Sequence, residues 1–473
     1  MLQEMMVMNV MMPTAVSVWH RKHGKQEDAG PSLATLANAR ALVEAGTSPG
    51  LWDQIAACLD ELQQSEKEAG GNWLSFVDRM NYSQEQREGI IRELAALVHP
   101  HVLLESKSYH VLLRLNRPRQ LNALSHAALR TLTEQLTQAE RSRKFPLITG
   151  SGNRAFCSGG DIKQVAKRVE DGNLQAAQQY LLDEYKCDLL VHRSTHAVAV
   201  ANGLVMGGGA GIFMGCSYRV VTEKASFAMP ECAIGIIPDA GATYFLGSGN
   251  SQISAAFGMY CALTGARVPA EAMLSLGLAT HIVPSKAVDQ LVAELAQCPT
   301  SDILTHIEEY AVVPETKAGS GPEPDVSSII DEVEKLSSNL GSLEELHGKL
   351  AHLSEECGGE WATEALEQMK KGSPISQVLT HAAMTLAMQP NRTIDQALGC
   401  EYAAVSRCFS LDFVEGVSCV VGAKKGNLPQ WQHSSWDEAR GDTRVQEVLK
   451  AMQEASPLSA LCSLDTPRQA LLT

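Results

Sequence analysis

From Leu33 to Leu97 the apolar residues recur every three or four positions: Leu33, Leu36, Ala37, Ala41, Leu42, then Ile55, Cys58, Leu59, Leu62, then Ile90, Ile91, Leu94, Leu97. That spacing lines one face of a helix and predicts three or four helices. Ser48-Pro49-Gly50 and Gly70-Gly71 break the pattern, and Pro100 ends it. The rhythm then shortens. Val102-Leu103-Leu104-Glu105 and His110-Val111-Leu112-Leu113-Arg114-Leu115 read as paired strands, Asn116-Arg117-Pro118 as a turn, and Ser125 as the N-cap of a helix. Pro146 to Gly150, Ala197 to Ala201 and Arg219 to Thr222 are further short strands, each followed by a turn and helical sequence. Strand, turn and helix in alternation predict an α/β layered domain.

Past Pro314 comes Lys317-Ala318-Gly319-Ser320-Gly321-Pro322-Glu323-Pro324, a linker composition. Charged amphipathic helices follow to about Leu428, and the last forty residues show one clear helix, near Arg444 to Met452. The predicted order is a disordered or targeting segment at 1–30, a helical extension at 31–100, a core at 101–312, a linker at 313–328, a helical C-terminal region at 329–432 and a tail at 433–473.

A chain of 473 residues, 45% hydrophobic and 20% charged, has ample core for more than one domain. Its net charge of −15 argues against phosphate-backbone binding as the main task. The 12 cysteines are scattered with no C-x-x-C pair, which suits buried thiols in a reducing compartment better than zinc or disulfides, so no metal site is expected. No run approaches ~18 apolar residues, the length needed to cross a membrane. The first 25 residues hold one acid, Glu4, against Arg21, Lys22 and Lys25, a faint transit-like signal.

The chemistry concentrates between Phe156 and Gly241. Phe156-Cys157-Ser158-Gly159-Gly160-Asp161 and Met206-Gly207-Gly208-Gly209-Ala210-Gly211 are two turns poor in side chains, which lets backbone amides approach a ligand oxygen. The Ser158 and Gly208 N–H groups aimed at one carbonyl oxygen would form an oxyanion hole. Met229-Pro230-Glu231 and Pro238-Asp239-Ala240-Gly241 bring two carboxyls into apolar surroundings, where their pKa values should rise and split. Either acid alone could equally cap a helix or pair with a surface arginine. Glu184 on a predicted helix, and Lys163 and Lys167 after the first turn, admit both a ligand role and a solvated helix face. Cys157 and Cys232 have no adjacent base and are not expected to be nucleophiles.

At these residues the chain resembles the enoyl-CoA hydratase/isomerase, or crotonase, superfamily. The stretches that carry the likeness are Leu115-Asn116-Arg117-Pro118, Leu121-Asn122-Ala123-Leu124, Ala155 to Ile162, Val205 to Gly209 and Phe227 to Gly241. A resemblance to the branch that hydrolyses 3-hydroxyisobutyryl-CoA in valine breakdown runs on through Glu401-Tyr402 and Asp412 to Val417 as far as Trp431. It implies a spiral of ββα units with a helical C-terminal region, here with an extra helical N-terminal domain. It also implies oxyanion donors at Ser158 and Gly208, catalytic carboxyls at Glu231 and Asp239, and substrate contacts at Glu184, Gly207, Phe156, Asp161 and Lys163, the last group along the CoA. No cofactor is implied beyond the coenzyme A of the substrate; the resemblance also implies a mitochondrial location and is compatible with a homo-oligomer.

A crotonase-type hydratase uses a second glutamate three residues after the position of Gly208, and Gly211 stands there. Asp239 lies where hydratases commonly carry glycine. Hydrolysis of a 3-hydroxyacyl-CoA thioester is therefore expected, with two readings open beside it: a non-catalytic crotonase-fold subunit of a mitochondrial ribosome or other assembly, which the N-terminal helices would suit, and hydratase or isomerase chemistry. The chain departs from the family at Ser418-Cys419, where arginine is frequent, and at Ala242-Thr243, where glycines are common.

Overall fold

Val7, Val10, Met11 and Ala15 lie three and four residues apart and are all buried. They form the inner stripe of helix α1 (Leu2–Lys22), which packs with α2 (Gly30–Glu44), α3 (Asn72–Arg79) and α4 (Gln84–Leu97) around Leu36, Val77, Ile90 and Leu94. This corrects the expectation of disorder over 1–30. Pro13 and the run of methionines conceal the helical period, although Pro13 is built into the helix. The computed structural model describes residues 2–23, 25, 29–44, 55, 58, 62, 72–97, 101–247, 252–313, 329–333, 342–356 and 360–462, in two units divided between His101 and Val102. The breaks expected at 48–50 and 70–71 and the linker at 314–328 lie outside the described residues.

In the second unit, β1 (Val102–Ser106) pairs antiparallel with β2 (His110–Leu115). Parallel strands β3 (Phe145–Gly150), β5 (Val198–Ala201), β7 (Tyr218–Thr222) and β10 (His281–Val283) extend the sheet in the order β1-β2-β3-β5-β7-β10. Alternate residues face different cores. Leu112, Leu147, Val198 and Val220 pack with α12 (Val288–Leu295) and α13 (Ile303–Tyr310), while Leu113, Ile148, Ala199 and Val221 face the main core. Near-continuous apolar strands are what a sheet buried on both faces requires.

Each inner strand runs on into a very short one: β4 (Ala155–Cys157), β6 (Leu204–Met206) and β8 (Ser226–Ala228). With β9 (Val268–Pro269) these make a second sheet of order β4-β6-β8-β9. Helices α5 (His126–Ser142), α6 (Ile162–Glu170), α7 (Leu174–Arg193), α8 (Gly208–Gly215), α9 (Ala242–Leu246), α10 (Ala255–Thr264) and α11 (Ala270–Ser275) fill the connections. Ser125 caps α5, its Oγ accepting from the Ala128 N–H at 3.1 Å. The repeated ββα turn stacks the ends of β4, β6 and β8 side by side, and those ends carry the two glycine turns and Met229-Pro230-Glu231.

The C-terminal helices α14 (Leu343–Glu356), α15 (Glu360–Lys371), α16 (Pro374–Ala387), α17 (Ile394–Cys408) and α18 (Phe413–Val420) share the main core. The segment expected to be a tail from 433 joins them. Its helices α19 (Trp436–Gly441), α20 (Thr443–Gln453) and α21 (Leu458–Leu461) bury Ala439, Val445, Val448, Met452 and Leu458 in that core. Among the described residues no helix is long and apolar enough to cross a membrane.

Candidate active site

Strands β4 and β6 are parallel neighbours, so the turns after them meet. A methyl placed on Gly159 (φ +102°) would come within 3.4 Å of both Gly207 Cα and Gly208 N. Gly207 holds φ +51° and ψ −134°, a conformation closed to other residues, and α8 starts at Gly208 with no side-chain cap on its first amides.

The open amide of the first turn is that of Gly160, not that of Ser158. The Ser158 N–H is engaged by the Leu121 carbonyl at 3.0 Å and cannot also bind an oxyanion. Leu124 donates to Gly159 O at 2.8 Å and accepts from the Asp161 N–H at 2.9 Å, forming a parallel bridge with Gly160. In such a bridge the middle residue turns its own amide to the opposite side. The Gly160 N–H accordingly has no acceptor among the described residues, and neither has that of Gly208. The Tyr180 hydroxyl donates to Leu124 O at 2.6 Å and accepts from the Asp161 N–H at 3.0 Å, which steadies the turn.

Glu231 opens a one-turn 3₁₀ helix (Glu231–Ile234) after β8, closed by Gly235 in the left-handed region. Its Oε1 would lie 3.0 Å from a methyl on Gly207, and its Oε2 is buried without a hydrogen-bond partner. Burial first, and the charge of Asp239 second, pushes its carboxyl well above the usual range. Asp239 accepts the Tyr185 hydroxyl on Oδ2 at 2.6 Å. Burial raises it to about 6, with that hydrogen bond working the other way. Ala240 and Gly241, at φ +56° and +86°, turn the chain behind it. Glu401 of α17, fully buried, holds this turn by accepting from Gly241 N at 2.8 Å, Thr243 N at 3.0 Å and Thr243 Oγ1 at 2.6 Å. Burial lifts Glu401 to about 8.

Two more acids lie on the buried stripe of α7. A methyl on Gly208 would fall on Glu184 Oε1, and one turn further along, a methyl on Gly211 would come within 2.9 Å of Asp188 Oδ1. Among the described residues Glu184 Oε1 and both oxygens of Asp188 are buried and unpartnered, and burial pushes both carboxyls well up. Of the two readings left open for Glu184, the solvated helix face is thus excluded.

The remaining expectations divide. Lys163 is exposed on the first turn of α6, whereas Lys167 pairs with Asp171 at 2.5 Å. Phe156, expected along the CoA, is fully buried and stacks edge-on against Phe213. Asp161, expected beside it, caps α6 and pairs with Arg117 at 2.9 Å, so its carboxyl is committed to the fold. The Cys157 and Cys232 thiols are buried and raised to about 12, which leaves no thiolate for attack. Gly160, Tyr185, Asp188 and Glu401 carry no predicted role. For Asp188 and Glu401 a signal existed, since each acid interrupts the apolar stripe of its own helix at a position where Leu or Ala would be expected.

The sequence model of the enoyl-CoA hydratase/isomerase family matches residues 110–449, and that of an uncharacterised conserved protein matches residues 1–97. Among similar proteins, 3-hydroxyisobutyryl-CoA hydrolase 1 of Arabidopsis thaliana is 33% identical over 76% of this chain and 93% of its own length. The mitochondrial 3-hydroxyisobutyryl-CoA hydrolase of Gallus gallus is 32% identical over 74% and 89%, and that of Homo sapiens 33% over 71% and 85%. Of the solved structures, an enoyl-CoA hydratase from Rhodobacter sphaeroides superposes with a TM-score of 0.62 at 28% identity, over 74% of this chain and 96% of that one. A carnitinyl-CoA dehydratase from Mycobacterium thermoresistibile gives 0.62 at 25%, over 79% and 98%.

Proposed function

The chain belongs to the enoyl-CoA hydratase/isomerase family, and within it we propose that it hydrolyses 3-hydroxyisobutyryl-CoA to 3-hydroxyisobutyrate and free CoA. The observation that carries this reading is the Glu231 carboxyl beside the two open amides, one oxygen against Gly207 and the other buried and unpartnered. The thioester oxygen sits between the Gly160 and Gly208 N–H groups, which stabilise the tetrahedral oxyanion. In this reading Glu231 and Asp239 hold one proton between them, since burial raises both carboxyls and the charge of Asp239 raises Glu231 further. Passing that proton to Asp239 frees Glu231 to activate water, or to attack the acyl carbon and form a transient anhydride that water cleaves. Either way the C–S bond breaks, the thiolate collects the proton and water supplies the new acid oxygen. The substrate brings its own CoA, and the exposed Lys163 ammonium is the group assigned to its phosphates in this reading.

Hydration chemistry is disfavoured by more than the missing glutamate. A Cβ at Gly211 would stand 2.5 Å from the Ala240 carbonyl, so no side chain fits there. A purely architectural subunit would gain nothing from unpartnered buried acids, which cost stability. The compartment proposed is the mitochondrion, after the vertebrate relatives. Turnover in heavy-oxygen water tests the reading: hydrolysis puts the label in the product carboxylate and releases thiol, whereas label in a hydroxyl with the thioester intact would replace hydrolase with hydratase.

A further inference from the structure

Asp188 is a buried carboxyl on α7 with both oxygens unpartnered among the described residues. It is 4% exposed, and among the described residues the charges that act on it are all acidic. Its surroundings are Glu184 on its own helix, Gly211 on α8, Ala240 on the Asp239 turn, and the charges of Asp239 and Glu401. A buried polar group without a partner costs stability, so its presence asks for a partner that arrives from outside. Nothing in the catalytic steps above uses it.

Its position says what that partner is. Helices α7 and α8 run alongside each other in register: Glu184 lies over Gly208, and Asp188, one turn on, lies over Gly211. With Gly208 donating to the thioester oxygen, an acyl chain that follows α8 from that carbonyl reaches the level of Gly211. Three residues of helix advance about 4.5 Å. That distance is comparable to the reach of a two-carbon chain ending in a hydroxyl. Gly211 and Ala240 offer no side-chain donor or acceptor of their own there, and Asp239 already holds the Tyr185 hydroxyl.

We propose that Asp188 is the specificity-determining residue for the acyl group, its carboxyl exchanging a hydrogen bond with the hydroxyl on the third carbon of the substrate. The proposal rests on the thioester-hydrolase reading and deepens it. It assigns to Asp188 the discrimination of hydroxylated from plain acyl chains, and leaves proton transfer to Glu231 and Asp239. An acyl group lacking the hydroxyl strands the Asp188 carboxyl without a partner in the closed complex, and sites built in this way reject such analogues strongly.

The test compares 3-hydroxyisobutyryl-CoA with isobutyryl-CoA, which differ only in that hydroxyl, in the wild type and in Asp188→Leu, Asp188→Ala and Asp188→Asn. The readout is the ratio of the two kcat/KM values, with the ratio of the two affinities by calorimetry beside it. Wild type should prefer the hydroxylated thioester by roughly 10²-fold or more. In Asp188→Leu and Asp188→Ala the ratio should fall close to one, and Asp188→Asn, which keeps an acceptor oxygen, should retain part of it. Two apolar variants cover the case in which one fails to fold. A ratio unchanged in both, with activity on the two thioesters falling together, would overturn the proposal and leave a structural role. A wild-type ratio near one would overturn it as well. If the wild type binds the hydroxylated thioester preferentially but cleaves neither, the hydrolase reading fails while the affinity ratios still decide the role of Asp188.

Discussion

The Tyr185 hydroxyl donates to Asp239 Oδ2 at 2.6 Å, and both residues are almost fully buried. This bond favours the ionised carboxyl and opposes the rise that burial imposes, leaving Asp239 at about 6. Tyr185→Phe removes the donor and keeps the ring. Asp239 should then titrate higher, by about one pH unit if the bond is worth a typical ~1 kcal/mol. The acidic limb of the kcat/KM profile should move up by that amount, and a limb that stays in place would show that Asp239 is not the group being read.

Glu401 reaches across from α17 to hold the same turn, and its three acceptor contacts make it a positioning residue. Thr243→Val deletes one of the three and should cost about 1–2 kcal/mol in denaturant unfolding. Glu401→Ala strands two buried amides as well and should cost about 2–4 kcal/mol, with a lower kcat and a smaller change in KM. Full stability in Glu401→Ala would mean that the turn holds itself.

The pH dependence of stability has an unusual sign. Asp239 and Glu401 bind their protons more tightly in the folded chain, at about 6 and about 8, than an unfolded carboxyl does. The folded state therefore carries more protons across this range, and stability is lost as pH rises from about 4.5 through about 8. Surface pairs such as Arg440–Glu344, which hold Glu344 down at about 2, act in the opposite sense but are complete above about pH 5. The urea midpoint should fall between pH 5 and pH 8, and Glu401→Gln should flatten the upper part of that fall. A midpoint that rises over the interval would mean that these acids are ionised throughout.

Gly211 stands where the family resemblance would put the second glutamate of a hydratase. Because the Ala240 carbonyl would meet a Cβ there at 2.5 Å, Gly211→Glu should lower the melting temperature and gain no hydratase activity towards an enoyl thioester. A stable variant that hydrates would show that the Ala240 turn can give way.

What the sequence discloses of all this follows physical lines. The longer strands and the Ser125 cap are written in local pattern, because apolar alternation and an Oγ acceptor act over a few residues. The second sheet is not, since strands of two and three residues such as Leu204–Met206 are held by neighbours remote in the chain rather than by their own propensity. Helix α1 stays hidden behind Pro13, and of the closing helices only Thr443–Gln453 is legible, Trp436–Gly441 and Leu458–Leu461 being too short to show a period. In the site, Glu231, Asp239 and Gly208 are legible as chemistry in an apolar setting. The exchange of Ser158 for Gly160 is not, because it depends on which amide the Leu121 carbonyl captures. Glu401 joins the site across about 160 residues of chain, a distance that no local pattern encodes.

The central claim is that Glu231, set beside the Gly160 and Gly208 amides, breaks a thioester. Free thiol released from 3-hydroxyisobutyryl-CoA by the wild type and by Glu231→Gln, with matched melting temperatures, tests it most directly. The account predicts rapid release by the wild type and a kcat lowered by about 10³-fold or more in the variant. Equal release by the two proteins, or none by either above the rate in buffer, would contradict it.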